Sequence, residues 1–315
     1  MEKTRVGISS CLLGEKVRYD GGHRWDRYLT ETLGRYLEWV PVCPEVEYGL
    51  PIPREAMRLV GDPEAPRLVT LRTAIDHTQG MLEWAGRRVK ELERERLCGF
   101  IFKSRSPSSG LKGVKVYTEA GMPSHRGVGL FARAFTERFP LMPVEDDGRL
   151  QDPTLRENFI ERIFAFKRWR EFEGRGGSLR DLVDFHTDHK LLILSHSPRH
   201  YSSLGKLVAQ GKKYGPERLR SEYLKLLMEG LGLIATVKKN TNVLHHMMGY
   251  FKRQLSADEK QELLEVIQSY HDGLVPLIVP IVLIQHCVRK YGEPYLKRQL
   301  YLNPHPAEMM LRNHT

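Results

Sequence analysis

Hydrophobic and polar positions follow two periodicities in the first half of the chain. Two segments, at about 74–96 and 127–138, repeat apolar residues every three to four positions, which predicts amphipathic helices. Short β-rich runs predict strands at 5–9, 38–42, 68–71, 99–103 and 140–144. Because strands alternate with helices, we expect an α/β N-terminal domain with a mostly parallel sheet covered on both faces.

From about Thr154 onward the strand-like runs disappear and the helical period dominates. Ser178 with Asp181 and Ser256 with Glu259 have the spacing of capping boxes, which satisfy the first free amides of a helix. The sequence therefore predicts an all-α helical C-terminal domain of about six helices. We place the boundary near Leu150, giving domains 1–150 and 151–315.

Charge differs between these two halves. Residues 1–150 contain 24 basic and 21 acidic residues, whereas residues 151–315 contain 25 basic and 18 acidic ones. The whole chain carries a formal charge of +10, and a basic excess favours a polyanionic partner because bound cations release counterions from phosphates. This points to nucleic acid, and to the second half more than the first.

Cysteine usage and hydropathy bear on location. The four cysteines and the lack of a signal-peptide hydrophobic segment after Arg5 favour a reducing, cytoplasmic setting. The most apolar stretch, Leu274 to Ile284, is shorter than the ~20 residues that cross a bilayer. We therefore expect no membrane association, and nothing in the sequence implies an obligate protein partner.

Two cysteines stand at the ends of predicted strands. Cys11 follows the first strand and Cys43 the second, while the strand ending at Lys103 leads into a loop in which Ser109 occupies the place of a third thiol. In parallel sheets ligands bind beyond the carboxyl ends of the strands. The three segments are therefore expected to meet in one crevice, with two thiolates available for a soft metal.

These segments carry motifs that resemble a known family. The motifs are Ser10-Cys11-Leu12-Leu13-Gly14, Arg18-Tyr19-Asp20-Gly21, Cys43-Pro44-Glu45 and Lys103-Ser104-Arg105-Ser106-Pro107-Ser108-Ser109-Gly110. Over about residues 4–150 the chain resembles the thiouracil desulfidase family.

The second half resembles the helical YbgA-type domain. Its motifs are Phe185-His186-Thr187-Asp188-His189-Lys190, His196-Ser197-Pro198, Asn242 to His246, Gly249 to Lys252 and Tyr295 to Tyr301. A fusion in this order is similar to the tRNA thiouridine desulfidases of the RudS type, in which the helical domain is expected to bind tRNA.

The resemblance implies a 4Fe-4S cluster held by three cysteines, with one iron lacking a protein ligand and able to bind thiocarbonyl sulfur. Water would replace the sulfur, converting 4-thiouridine to uridine. The positions that match the metal ligands are Cys11, Cys43 and Ser109. Glu45 matches the acid/base carboxylate and Ser106 a catalytic serine.

Four residues around these motifs are candidate substrate contacts: Ser10, Asp20, Ser104 and Lys103. Each also has a plainer role, since Asp20 can stabilise its own turn and loop serines commonly bind backbone amides. Lys103 and Arg105 are alternatively placed to neutralise a cluster or contact RNA.

Ser109 departs from the family pattern. Serine offers a hard, weakly acidic oxygen where the family has a thiolate, so the change is expected to impair cluster binding. Three explanations are open: deliberate replacement of a cysteine, natural loss of the ligand, or a third ligand supplied by Ser109, Cys98 or a group of the helical domain.

Cationic and imidazole groups of the second half are candidates for other roles. Lys212, Lys213, Lys238 and Lys239 lie beside groups that can stack on or hydrogen-bond bases, as in a single-stranded RNA site. His186, His189, His245 and His246 could alternatively bind zinc, although core polar networks or RNA contacts fit them better. Two further functions stay open: a non-catalytic tRNA-binding protein, and a desulfidase of free thiopyrimidines.

Overall fold

The computed structural model describes residues 3–118, 120–306, 309 and 311–313. The chain divides into two compact units, Met1–Gln151 and Asp152–Thr315. Within the described residues, none of the helices is long and apolar enough to span a bilayer.

Strands and helices alternate along the first unit. The strands are β1 (Thr4–Ser9), β2 (Leu37–Val42), β3 (Met57–Val60), β4 (Arg67–Thr70), β5 (Phe100–Phe102), β6 (Val114–Tyr117), β7 (Pro123–Gly127) and β8 (Val144–Asp146). The helices are α1 (Pro44–Glu47), α2 (Thr78–Arg94) and α3 (Leu130–Arg138), with a 3-10 turn at Ser10–Leu13.

Four of these strands form sheet A in the order β2-β1-β5-β8, and every pairing is parallel. This confirms the predicted α/β class. Strands β1, β5 and β8 are almost fully buried, whereas β2 exposes Glu38 and Pro41. Aromatic rings from β5 and α3 pack together against this sheet: Phe100 stacks on Phe102 with ring centroids 4.3 Å apart, and its centroid lies 4.7 Å from that of Phe135.

The remaining strands form sheet B in the order β4-β3-β6-β7, with two antiparallel pairings and one parallel pairing. The sequence patterns did not reveal β3, β6 or β7. These strands are short and half-exposed, and they carry charged residues, so they lack the apolar runs that mark the strands of sheet A. The strand expected at 140–144 instead begins at Val144, after a loop that contains Pro140 and Pro143.

The second unit is helical throughout its described residues. Its helices are α4 (Pro153–Gly174), α5 (Leu179–His196), α6 (Pro198–Ala209), α7 (Pro216–Leu231), α8 (Val237–Gly249), α9 (Ala257–His271), α10 (Ile278–Tyr291) and α11 (Pro294–Lys297). This confirms the helical class but exceeds the expected six helices. Ser197 alone separates α5 from α6, where it caps the start of α6 by accepting from the His200 amide.

Local sequence signals account for several helix boundaries in this unit. Both predicted capping boxes form, with Ser178 accepting from the Asp181 amide and Ser256 from the Glu259 amide. The core is aromatic: Trp169 lies parallel to Tyr223 with ring centroids 5.5 Å apart. Such packing fixes α4 against α7.

Candidate active site

The carboxyl ends of the sheet A strands border a cavity of about 1480 Å³. β1 and β2 pair from Thr4 with Leu37 to Ser9 with Val42, so Cys11 and Cys43 leave adjacent strands at the same edge. The loop after β5 leaves at that edge too. Cys11, Cys43, Glu45, Ser106 and Ser109 all line the cavity.

Both thiols are largely shielded from solvent, and this affects their protonation. Burial raises the pKa of Cys11 to about 11, against the opposing effect of the Lys103 ammonium group. Burial, followed by the nearby Glu45 carboxylate, raises the pKa of Cys43 to about 12. Both groups are therefore neutral thiols near pH 7, and a metal that binds them must displace two protons.

Glu45 lies at the start of α1, two residues after Cys43. The Cys43 thiol donates toward Glu45 Oε2 at 3.6 Å, and the Cys43 backbone amide donates to Glu47 Oε1 at 3.0 Å. The buried guanidinium of Arg54 lies 3.9 Å from Glu45 Oε2. A carboxylate beside a thiol and a cation is suited to accept the proton that this thiol would lose if it bound a metal.

A serine pair connects this carboxylate to the loop after β5. Ser108 Oγ donates to Glu45 Oε1 at 2.5 Å, and the Ser106 and Ser108 hydroxyls lie 3.0 Å apart. Ser106 Oγ also accepts from the backbone amides of Ser108 and Ser109. Ser106 therefore holds the turn that presents Ser109, and it faces the cavity as well.

Gly129 sets how closely α3 approaches this loop. A Cβ at Gly129 would lie 2.5 Å from both the carbonyl carbon and the oxygen of Ser108. The amides of Gly129 and Phe131 donate to the oxygens of Gly110 and Ser108. The glycine lets two backbones touch, and this contact fixes the serine loop.

The base of the loop is fixed by a partly buried ion pair. Lys103 Nζ lies 3.1 Å from Asp147 Oδ2, and the Ser104 amide donates to Asp147 Oδ1 at 2.6 Å. The Lys103 amide donates to Ser9 Oγ at 2.9 Å, which ties the loop to β1. Lys103 and Ser104 thus have structural contacts while both still line the cavity, as does Ser10.

Two residues considered in the sequence analysis do not line the cavity. Asp20 is exposed, pairs with Arg18 at 3.2 Å and does not line the cavity. Cys98 lies at the amino end of β5, where its amide donates to the Arg5 oxygen, about 15 Å of strand from the cavity. This placement removes Cys98 as a third ligand.

The structure adds residues that the sequence did not reveal. Arg54 reaches Glu45 from a loop that carries no motif. The sequence did contain a feature that could have predicted Asp147, because a run of acidic residues ends the last parallel strand. Ser108 lies within the motif from Lys103 to Gly110, but only its contact with Glu45 distinguishes it from the neighbouring serines.

The predicted RNA contacts of the second unit differ in their surroundings. Lys212, Lys213 and Lys238 are exposed. The Lys239 ammonium donates to the carbonyl oxygens of His196 and Ile234 at 2.7 and 2.9 Å. Lys239 therefore stabilises the end of α5, and only the other three present a free ammonium group to solvent.

The histidines do not form the zinc site considered as an alternative. His186 and His189 are buried, and His186 Nδ1 lies 3.0 Å from the Tyr223 hydroxyl. Burial lowers the pKa of His186 to about 4, which keeps it neutral. His245 and His246 are exposed on α8, and among the described residues only Glu157, Glu161 and His305 bring three potential ligand atoms together.

Two of these three residues, Glu157 and Glu161, are already paired with another charged group. The buried Arg312 guanidinium lies 2.8 Å from Glu161 Oε1 and 3.2 Å from Glu157 Oε1. Arg312 already supplies the positive charge that a metal would bring, so the cluster is a buried network centred on this guanidinium.

Fold and site together define a two-part protein: an α/β unit with thiols and a carboxylate at the end of a parallel sheet, followed by a helical unit. Comparison with known proteins agrees. The 2-thiouracil desulfurase family model matches residues 6–147, and a family model described as a protein of unknown function, DUF1722, matches residues 190–306.

The Escherichia coli (strain K12) protein described as uncharacterized protein YbgA is 31% identical over 158 residues, covering 50% of this chain and 94% of YbgA. A solved structure described as the 4Fe-4S-dependent thiouracil desulfidase TudS is 28% identical and covers 47% of this chain and 94% of its own, with a TM-score of 0.39. The chain belongs to the YbgA family and is a fusion of a TudS-like domain with a YbgA-type domain, which confirms the resemblance.

Proposed function

We propose that this protein is an iron-sulfur-dependent hydrolytic desulfidase that acts on thiolated uracil in tRNA, converting 4-thiouridine to uridine. The observation that carries the proposal is the convergence of Cys11, Cys43, Ser109 and Glu45 on one cavity at the end of sheet A. The family match over residues 6–147 supports the same chemistry.

The residues present include the type of ligand that holds a 4Fe-4S cluster, although one of the three positions offers only a weak ligand. Cys11 and Cys43 supply two soft ligands, and Ser109 supplies a hydroxyl at the third position. When bound, the cluster would provide an iron without a protein ligand to accept thiocarbonyl sulfur. The serine weakens this binding, because its hydroxyl is far less acidic than a thiol.

Glu45 is the residue suited to move protons. The reaction exchanges sulfur for a water oxygen with no net redox change, and the water must lose protons as the sulfide leaves. Glu45 Oε2 faces Cys43 and Arg54, while Oε1 is held by Ser108. A carboxylate fixed at both oxygens can accept a proton from water with little reorganisation.

The helical domain is proposed to bind the tRNA. Lys212, Lys213 and Lys238 are exposed cations in a half of the chain with an excess of seven positive charges. Counterion release would then make binding strongly dependent on salt.

The first test compares this chain with its Ser109→Cys variant. After anaerobic reconstitution, the variant is expected to bind more iron and sulfide than the parent chain and to release sulfide from thiolated tRNA. Cys98→Ser in the same background is the matched control, because Cys98 is buried at the opposite end of β5 and should leave iron content unchanged. A colourless Ser109→Cys protein without iron would contradict the cluster assignment.

Ser109 itself favours a second candidate, a tRNA-binding protein without catalysis. This candidate predicts salt-sensitive tRNA binding with no sulfide release even from Ser109→Cys. Turnover of free thiouracil exceeding that of thiolated tRNA would instead identify a desulfidase of free thiopyrimidines.

A further inference from the structure

A second wall of the same cavity is formed by sheet B. Leu59 of β3 pairs with Val116 of β6, and both are buried. Alternation along the strands therefore places Arg58 and Lys115, one position earlier, together on the opposite face of the sheet. Both residues line the cavity, as do Tyr117 and His125.

The charges that line the cavity are unbalanced. Nine Lys and Arg side chains face five Asp and Glu side chains, and each of the five acids already accepts a hydrogen bond from another protein group. Within the described residues, five of the nine cations have no carboxylate partner: Arg24, Arg58, Arg105, Lys112 and Lys115. The surplus is thus available to an anionic ligand.

Arg58 is the most constrained of these cations. Its guanidinium lies over the Tyr117 ring, 5.4 Å from the centroid, and its Nε is buried without a hydrogen-bond partner in the described chain. Because Nε has almost no accessible surface, the donors that Arg58 can offer a ligand in the cavity are the Nη groups, which have no carboxylate partner among the described residues. The planar guanidinium matches the geometry of phosphate oxygens.

Exposed aromatic rings line the cavity near Cys11. The Arg24 and Asp26 amides donate to the Cys11 and Leu12 oxygens, so Trp25 lies beside the cysteine turn. Trp25 is 49% exposed and Tyr19 is 46% exposed, and both line the cavity. Bases of single-stranded nucleic acids stack on such rings.

The size of the cavity agrees with a ligand larger than a base. Its volume of about 1480 Å³ exceeds the ~300–1,000 Å³ of ordinary small-molecule pockets. We propose that the sheet B wall, with Arg58 and Lys115 at its centre, binds the phosphate groups of a nucleotide whose base lies among Trp25, Tyr19 and the thiols. The substrate class of the site is then a nucleotide within a nucleic acid strand. This inference rests on the proposed function for the identity of the base.

Binding to the full-length chain tests the proposal without requiring activity. The probes are 4-thiouridine 5′-monophosphate, 4-thiouracil and inorganic phosphate, measured by titration calorimetry. Arg58→Gln is expected to weaken binding of the monophosphate by about tenfold or more, because one charge-assisted contact is lost. Lys115→Gln should weaken it less, and neither should change binding of 4-thiouracil.

Two further variants keep the test specific. Arg58→Lys should retain part of the affinity for the monophosphate, since the charge remains. Arg87→Gln removes an exposed cation of α2 that does not line the cavity, and it should have no effect. Thermal unfolding of each variant identifies any that are misfolded. If Arg58→Gln is among them, Lys115→Gln, which changes an exposed residue of β6, is the variant whose monophosphate binding is compared with that of the parent chain.

The outcomes separate this inference from the proposed function. Two results would overturn the proposal that Arg58 and Lys115 bind phosphate. One is equal affinity for 4-thiouracil and for the monophosphate, and the other is unchanged monophosphate binding in both Arg58→Gln and Lys115→Gln. If the desulfidase proposal alone fails, Ser109→Cys releases no sulfide from any substrate, yet the Arg58 and Lys115 variants still lose affinity for the monophosphate.

Discussion

Ser108 Oγ donates a 2.5 Å hydrogen bond to Glu45 Oε1, joining residues 63 positions apart in the chain. The Ser108 side chain is fully buried, whereas the Ser106 hydroxyl next to it faces the cavity. The bond links the loop after β5 to α1, and so to the segment that carries Cys43. Ser108 is thereby a positioning residue for the candidate base, and it acts through Glu45.

Removing this hydroxyl should impair turnover without removing the cluster. In the Ser109→Cys background, Ser108→Ala is expected to slow sulfide release by about 10–100-fold, the usual cost of removing a group that orients a functional side chain. Iron content should stay the same, and Ser108→Thr should restore part of the rate. Parallel losses of iron and rate would show instead that Ser108 only maintains the fold.

Gly129→Ala and Gly86→Ala should have opposite effects on stability. A methyl group at Gly129 would collide with the Ser108 backbone, so we expect a loss of about 1–3 kcal/mol in the free energy of unfolding. The serine loop should be displaced, and iron binding by Ser109→Cys should fall.

Gly86→Ala provides the control for Gly129→Ala. It lies within α2 with open space around its Cβ position, and alanine there should stabilise the helix by about 0.5–1 kcal/mol. Urea unfolding curves measure both changes. Similar destabilisation by the two variants would contradict the close backbone contact at Gly129.

Glu157 should make stability depend on pH. Burial and the neighbouring Glu161 carboxylate raise the pKa of Glu157 to about 8 from its ordinary value near 4.5. Between these pH values the folded state holds a proton that the unfolded chain has released. This contribution is therefore fully present below pH 4.5, and stability falls as pH rises from 4.5 to 8.

Glu157→Gln should remove most of that slope. The amide cannot ionise, so the variant is expected to gain stability relative to the parent chain as pH rises, which thermal unfolding between pH 5 and 8 would detect. Glu173→Gln, an exposed residue of the same helix, should leave the slope unchanged. A parent chain that shows no difference from Glu157→Gln across this range would refute the assignment.

Lys238 and Lys239 are adjacent, but their replacement should give different results. Lys238→Gln removes an exposed cation, so tRNA affinity should fall and the slope of log K against log salt should decrease by about 1. Lys239→Gln removes two hydrogen bonds to carbonyl oxygens and should cost about 1–3 kcal/mol of stability. Filter binding at several salt concentrations measures the change in tRNA affinity, and urea unfolding measures the change in stability. If Lys239→Gln lost more tRNA affinity than Lys238→Gln, the assignment of Lys239 to a structural role would be wrong.

The sequence by itself determined the class of each half and the edge of sheet A at which the site lies. Buried parallel strands have apolar runs that are visible in one dimension, and residues after such strands must emerge at one edge; Cys11, Cys43 and Ser109 follow from this rule. Capping boxes such as Ser256 with Glu259 are also local, so they too were predictable.

Only the tertiary structure decided which side chains complete the site. Several contacts of the site join segments whose spacing in the sequence does not predict that they meet. They are the contacts of Glu45 with Ser108 and Arg54, of Lys103 with Asp147, and of α3 with the serine loop. Three strands of sheet B, β3, β6 and β7, are likewise invisible in the sequence, because they are short and half-exposed and are stabilised by pairing more than by an apolar pattern of their own. The cation-lined wall beside the thiols arises from that pairing, which brings Arg58 and Lys115 together from strands more than fifty positions apart in the chain.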